Sequence, residues 1–529
     1  MKDKKSEITT FTRRDALRGL ASFGLTAGVA SSLLLPASVH AELIGEDPLR
    51  PRQGGRIRVA CMASSTADTM DPAAGSLSTD YARHYMFYNG LTQYDSDLRG
   101  QLSLAESLES DDQQTWSIRL RPGVEFHDGK PLEPQDVVYS LMRHLDASVG
   151  SRVKPIADQF DSIEVTGPRQ IRIKLKYPNA DLPEILADSH FLIIQDGTGD
   201  FTASPGTGPY KVKEFTPGVR TIGVRNENYW KPGRPYLDEI ELVGIADETA
   251  RVSALLAGDV QLINAVDPRS TRRVKQTPGF EVMDTPSSGY TSLIIRQDMA
   301  PTNSRHLSLA LKYLLDRPTI KRALFRGFAT IANDHPVHPN HPFYASDLPQ
   351  REHDPERARY HLKKGGFEGL RLPAYASPAA TGSVDMATLL QMSAIPNGLK
   401  LGVNRVPADG YWSNHWGKHP LSYGNINPRP TLDMMFSLFY KSDAAWNTSR
   451  WNNDKFDQLL QAARSEGDQT RRKQMYVDMQ ELVHNECGIG IPVFIDLIDA
   501  YDSRLRGLSP IPIGGLMGYS FAENVWLSE

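Results

Sequence analysis

Three histidines recur at every third position, His335, His338 and His341, and each is followed by a proline. In a polyproline helix, with three residues per turn, the three imidazoles would share one face. Neutral imidazoles in such a row suit nickel, copper or zinc. The same run serves equally as a proline-rich connecting loop, and no metal is assigned to it. Ser151-Arg152-Val153-Lys154 matches the Ser-x-x-Lys pattern of penicillin-interacting enzymes, but the companion Lys-Thr-Gly and Ser-Asp-Asn elements are missing from the sequence. Gly-x-Ser-x-Gly and His-Glu-x-x-His are missing too, as is a Walker motif. Nucleophilic, zinc-hydrolytic and ATP-hydrolysing chemistry therefore have no motif to stand on, and a secreted hydrolase remains only a remote alternative. Cys61 and Cys487 are too far apart for a CxxC metal or redox site. They are expected as two buried thiols rather than one disulfide. Arg429 offers a planar fork for a carboxylate or other anion, and Asn425 and Asn427 beside it offer neutral polar contacts. The same arginine would serve equally in a structural ion pair or a cap.

The elements that must position such groups are written in the periodicity. Trp116, Ile118 and Leu120 alternate with Ser117, Arg119 and Arg121, the period-two pattern of a strand with one buried face. Pro122-Gly123 stops it, Val124 and Phe126 begin a second short strand, and Asp128-Gly129 turns the chain. Pro134 fits the first turn of a helix, with Val138, Leu141, Met142 and Leu145 on its apolar face. Further strands are expected at 54–60, at 163–175 as a hairpin around Gly167-Pro168, at 237–243 and at 489–494. Helices are expected at 81–91, 248–257, 307–324 with an interruption around Asp316-Arg317-Pro318, from Asp354-Pro355 onward, and as a pair over 456–483.

The first 41 residues read as an address. Thr12-Arg13-Arg14-Asp15-Ala16-Leu17-Arg18 resembles the twin-arginine export motif, with Ala16 where Phe is usual. An apolar run from Gly19 to Leu35 follows, Pro36 breaks it, and Val39-His40-Ala41 fits a small-x-small cleavage site. The run is at the short edge of a membrane span, so cleavage after Ala41 and periplasmic release are expected. Removing 41 of the 529 residues leaves about 488, enough for two or three lobes. The leader holds six Lys or Arg and three Asp or Glu, so its loss takes the net charge from −4 to −7. A mildly acidic chain without basic stripes argues against nucleic acid as a partner.

Ten landmarks in one order carry a resemblance. They run from Gly54-Gly55-Arg56-Ile57-Arg58-Val59 and Asp71-Pro72 through Tyr88-Asn89-Gly90-Leu91, Leu104-Ala105-Glu106-Ser107 and the Trp116–Asp136 stretch. They continue with Gly206-Thr207-Gly208-Pro209-Tyr210, Asn228-Tyr229-Trp230, Leu256-Ala257-Gly258-Asp259-Val260, Asp316-Arg317 and Asp354-Pro355-Glu356-Arg357-Ala358. Along nearly the whole mature chain the sequence resembles family 5 of the bacterial extracellular solute-binding proteins, the peptide- and nickel-binding class.

That resemblance implies an α/β, bilobed periplasmic-binding-protein fold of the large, three-domain, peptide-binding kind, with two lobes hinged by two crossover strands. It places lobe 1 at 42–89, 196–290 and 491–529, a small inserted domain at 90–195, and lobe 2 at 291–490. The crossovers fall near Ser287–Ile295 and Ile491–Ile495. The implied function is capture without catalysis: a di- or oligopeptide, or a related small solute, held between closing lobes. It would then be delivered to the permease and ATPase subunits of an ABC importer in the inner membrane. No cofactor is implied, and a monomer is expected. Opine, oligosaccharide and metal chelate are the alternative ligands. Peptide-binding members use a second-lobe carboxylate for the peptide amino group, but the matching stretch here, Leu421 to Pro430, contains no Asp or Glu. The ligand-binding residues this implies are Gly75 and Ser76, where backbone meets an extended ligand, Tyr290 at a crossover, the aromatics Trp412, Trp416 and Tyr423, and Asn425, Asn427 and Arg429.

Overall fold

The alternation of Trp116, Ile118 and Leu120 has a direct physical outcome: all three are buried, while Ser117 and Arg119 between them face out. In the computed structural model, which describes residues 50–202 and 205–528, they lie on strand Thr115–Leu120. This strand stands inside a four-stranded antiparallel sheet, ordered Ala105–Glu109, Thr115–Leu120, Gln170–Leu175, Phe160–Gly167. The expected second strand at Val124–Phe126 is reduced to a single bridge, Glu125 with Pro131. The Asp128-Gly129 turn closes too soon after it for a ladder, with Phe126 N–H donating to Lys130 O at 2.8 Å. Helix Pro134–Met142 begins on its proline, as expected, and buries Val137 and Leu141 against this sheet. The twin-arginine motif, the apolar run and the Ala41 site lie outside the described residues.

Two seven-stranded mixed sheets form the larger bodies. The first runs in the order Phe280–Thr285, Leu497–Asp502, Leu262–Ile263, Arg56–Cys61, Glu239–Gly244, Arg220–Arg225, Tyr210–Thr216. Its central strand, Arg56–Cys61, is paired in parallel on both sides and buries Ile57, Val59 and Cys61. The second sheet runs Ala329–Ile331, Val493–Ile495, Tyr290–Ile295, Leu421–Ile426, Arg371–Ala376, Lys400–Arg405, with Ile489–Gly490 alongside Tyr290–Ile295. Each sheet carries its own apolar clusters. Among the described residues no helix is long and apolar enough to cross a membrane.

The chain passes between these bodies over residues 286–289 and again at Asp496. The strands expected as crossovers, Tyr290–Ile295 and Val493–Ile495, both belong to the second sheet, so the passages themselves are short. They are tied side by side: Ile495 N–H donates to Gly289 O at 2.7 Å, and Ser287 Oγ donates to Ile495 O at 2.7 Å.

The expected helix at 81–91 forms as Ser78–Phe87. It ends before Tyr88 because the Gly206-Thr207-Gly208 loop packs on its last turn. A Cβ at Gly206 would stand 1.9 Å from Phe87 O, and Gly208 N–H donates to that carbonyl at 2.9 Å. Only glycine admits so close an approach of two backbones. The Asp316-Arg317 landmark also has a structural cause. Asp316 caps the following turn through Thr319 N–H, and Arg317, 1 % exposed, pairs with Asp334 at 2.7 Å. The other oxygen of Asp334 meets Arg351 at 2.5 Å, and Lys312 lies in the same buried cluster.

Candidate functional site

Between the two large bodies, with the four-stranded domain forming a third wall, lies a cavity of about 1020 Å³. One part of its lining is apolar, with Ile156 from the small domain facing Met434, Leu438 and Trp446 from the second body. Another part is charged.

The charged part is built on the loop after Asp71. Asp80, one turn into the following helix, accepts from Ser76 N–H at 3.0 Å and Leu77 N–H at 3.1 Å through one oxygen. Its other oxygen takes Thr69 N–H and Arg83. Gly75 is obligatory here because a Cβ would stand 2.5 Å from the His84 ring. Its carbonyl points to His190, whose Nε2 lies 3.1 Å away, while His190 Nδ1 lies 2.6 Å from Asp188 Oδ1. Both ring nitrogens thus face acceptors, an arrangement only the doubly protonated imidazolium can satisfy. Burial alone would push the His190 pKa down, but the Asp188 carboxylate outweighs it and holds the value above the ordinary histidine range. The same pairing overcomes burial at Asp188 and lowers its pKa.

Two arginines complete this part. Arg152 is exposed at the cavity wall, and Arg429 is half-buried with its guanidinium stacked 5.4 Å from the centre of the Phe439 ring. Arg429 Nη1 donates to Pro428 O at 3.1 Å and more weakly to Asn427 O at 3.4 Å. Among the described residues no carboxylate comes within ion-pair distance of either guanidinium. Burial lowers the Arg429 pKa, partly offset by Asp188, Tyr290 and Tyr81. Phe439 in turn stacks on Trp446, 5.4 Å away, so Arg429, Phe439 and Trp446 form one ladder at the cavity edge.

Of the residues singled out from sequence, Gly75, Ser76, Asn427 and Arg429 line this cavity. Tyr290 is buried beside it, its hydroxyl 2.8 Å from that of Tyr440. Tyr423 is buried in the core of the second body. Trp416 packs its indole nitrogen against Gly424, and Trp412, 43 % exposed, meets Trp416 edge-on; neither lines the cavity. Asn425 lies on strand Leu421–Ile426, off the cavity lining. Sequence reasoning missed Arg152, Asp188, His190, Trp446, Asp499 and Tyr519. None carries a local signal, because the cavity is assembled from segments far apart in sequence, only Asp188 and His190 sharing one.

The three spaced histidines do not converge. Their segment is a series of turns, in which each Nδ1 accepts the backbone N–H two residues on: Val337 at 3.4 Å, Asn340 at 3.1 Å and Phe343 at 3.0 Å. This use of the ring nitrogen, rather than a polyproline helix, sets their spacing. Among the described residues no group of three His, Cys, Asp or Glu side chains could hold a metal ion. Cys61 and Cys487 are both free and buried, and burial pushes their thiols up to about 12 and about 11.

The family described as "Bacterial extracellular solute-binding proteins, family 5 Middle" matches residues 101–448. The glutathione-binding protein GsiB of Escherichia coli (strain K12) is 24% identical over 485 residues, covering 88% of this chain and 94% of that protein. Among solved structures, the substrate-binding protein CtaP of Listeria monocytogenes superposes with a TM-score of 0.80 at 21% identity, covering 90% of this chain and 100% of that one. The periplasmic binding protein DppA of Helicobacter pylori, in complex with the peptide STSA, gives 0.76 at 21% identity, covering 90% and 99%. The fold is the bilobed one of these periplasmic binding proteins.

Proposed function

Because the chain belongs to the bacterial extracellular solute-binding proteins, family 5, we propose that it captures a di- or oligopeptide, or a related small solute, between its lobes and surrenders it unaltered to an ABC importer. The observation that carries this reading is the cavity itself. It is large enough for a ligand of several residues, is lined from three separate bodies, and is charged at one part and apolar at another. A micromolar site needs about 8 kcal/mol in all, which a few charge-assisted hydrogen bonds and one stacked ring supply. Enclosure stabilises the closed state only by the difference in affinity between closed and open forms. The two arginines without carboxylate partners supply that difference for a solute bearing an anionic group, and Gly75, Ser76 and Asn427 present polar backbone and side-chain contacts beside them. Of the remaining candidates, Tyr290 then acts behind this surface as support for it, while Tyr423, Trp412, Trp416 and Asn425 belong to the packing of the second body. The relatives' ligands, glutathione in one and a peptide in another, fit the same reading.

The protein works as a monomer in the periplasm, reaches it through the twin-arginine route, and begins at Glu42 after cleavage. It binds without transforming its ligand, and the ATP is spent by the importer. Native mass spectrometry of protein purified without denaturation tests the capture directly. A bound small molecule of defined mass is expected, and Arg429→Ala should release it. A protein that carries nothing and shows no saturable thermal shift with any peptide pool would defeat the reading. N-terminal sequencing of periplasmic material that began at Met1 would defeat the export route.

A further inference from the structure

The small four-stranded domain touches both larger bodies, and its contacts with the two differ in kind. Toward the first body it is fixed. Arg143 grips Asp71 through both Nη atoms at 2.7 and 2.8 Å, Arg152 N–H donates to Ala73 O at 2.9 Å, and Tyr85 Oη donates to Ala187 O at 2.8 Å. In sequence it is enclosed by strands Arg56–Cys61 and Tyr210–Thr216, both of the first sheet. It therefore travels with the first body when the lobes part.

Toward the second body it reaches with one short stretch, residues 177–181. Arg472 Nη2 donates to Asp181 Oδ1 at 2.6 Å, and the two side chains are only 7% and 9% exposed. The neighbouring Ala180 N–H donates to Arg464 O at 3.0 Å. The Arg464 guanidinium lies 5.2 Å from the centre of the Tyr177 ring, while its Nε donates to Asp433 at 3.0 Å. Both arginines belong to a helix pair of the second body, Asp454–Ser465 and Gln469–Glu486. Beside them, Met434 is buried in an apolar cluster whose other buried members all lie between residues 91 and 193. Two acids and two bases thus balance at the seam, and Asp181 alone of the four stands on the opposite lobe. Exposed ion pairs contribute little because water and salt screen them. This pair is buried, so parting the lobes breaks a desolvated charge-assisted bond, a backbone hydrogen bond and an apolar seat together.

From these contacts we infer that residues 177–181 make the small domain a latch on the second body, one that holds the lobes shut without help from a solute and so sets the strength of capture from outside the cavity. Asp181, Arg464 and Arg472 do not line the cavity, whereas Met434 does, facing Ile156. The seam is therefore the back of the cavity wall. The affinity of a form populated only in part is reduced by that fraction, so a latch that favours the shut form strengthens capture of any solute. Asp181 and Arg472 are then positioning residues, acting through the pose of the two lobes.

The test uses the full mature protein, dialysed exhaustively and checked to be empty by native mass spectrometry. Small-angle scattering reports how far the lobes are parted, and hydrogen exchange of the Ala180 amide reports the latch itself. The wild type should scatter as the compact shut form and protect that amide. Asp181→Asn keeps the size of the side chain and removes its charge. It should move the shut-to-open ratio at least about tenfold toward open, because it strands the buried Arg472. The scattering curve should expand, and Ala180 protection should fall by the same factor. Tyr177→Ala, at a site 43 % exposed, spares the interior and should move the ratio about two- to fivefold. If Asp181→Asn does not fold, Tyr177→Ala decides. A wild type that is open when empty, or variants that scatter and exchange as the wild type does, overturns the inference. A seam that only supports the fold would lower Tm and leave the scattering curve where it was, and that result overturns it too. The capture reading is decided separately, by whether protein purified without dialysis carries a solute.

Discussion

His190 is the point at which the charge state of the cavity wall can be tested most sharply. Its imidazolium donates to the Asp188 carboxylate at 2.6 Å and to the Gly75 carbonyl at 3.1 Å, and so fastens the ligand-facing loop to the small domain. Replacing it by glutamine leaves a single amide nitrogen, which cannot span the two acceptors that the two ring nitrogens reach and cannot carry charge. The side chains are 10% and 23% exposed, so solvent screens the pair only weakly. A hydrogen bond to a charged group contributes about 1.5–3 kcal/mol, so His190→Gln should cost about 2–3 kcal/mol at pH 6. For a protein of this size that is a fall of roughly 2–3 °C in Tm, taking about 1 °C per kcal/mol from about 2 cal/mol/K of unfolding entropy per residue. The pH dependence carries the sign. The folded pKa is raised above the ordinary value, so the contribution is complete below about pH 6.5 and is lost as pH climbs through the folded value. The groups that face the ring are Asp188, which raises that value, Arg152, which lowers it, and Tyr81, edge-on at 5.6 Å. Thermal unfolding of wild type and His190→Gln from pH 5.5 to 9.5 should therefore show two curves that converge on the alkaline side. A gap that stays constant across the range would mean that the neutral ring holds the same contacts, and the assignment of a charged imidazole would be refuted.

Two further expectations are independent of the ligand, and a third reads its capture. Asp334→Asn strips the one carboxylate from between Arg317 and Arg351 and should cost about 3–5 kcal/mol in urea unfolding, since it strands buried charges; a loss under 1 kcal/mol would show that water enters the cluster. Burial lowers the Lys312 pKa from 10.5 to about 8, so the unfolded chain binds more protons between those values and stability should rise with pH there. Lys312→Met should flatten that rise, and an unaltered slope would point to other groups. Trp446 is 44 % exposed at the cavity, so solute capture should shift the tryptophan emission and Trp446→Phe should remove most of the change; an equal change in the variant would place the reporter elsewhere.

Periodicity made much of the framework readable and little of the site. Trp116, Ile118 and Leu120 declare a buried face because a strand alternates, and Pro134 declares a helix start because its missing N–H is harmless there. Alternation says which face is buried, but not whether that face looks into a core or into a cleft. Tyr290 and Tyr423 on neighbouring strands illustrate this: both are covered by protein, one beside the cavity and one away from it. Arg429 could be singled out because an arginine among prolines and asparagines, in a stretch without Asp or Glu, is chemically conspicuous. His190 and Asp499 could not, because the first takes its meaning from being held between Asp188, two residues away, and Gly75, 115 residues distant, and the second from an absent partner. The histidine triplet was ambiguous for a related reason. A three-residue spacing fits a shared metal face, yet each ring spends its Nδ1 on its own turn.

The two strands of chain that join the halves are short, and each is laced to the other through Ile495. Few torsions are free to turn within such a joint, and a sliding or splaying excursion would break its lacing. What remains is rotation about a single axis, as in a door with two pins. Any cargo that fills the space must then leave the outer faces in nearly the same final pose, so a receptor that feels only those faces could accept chemically different cargoes on equal terms.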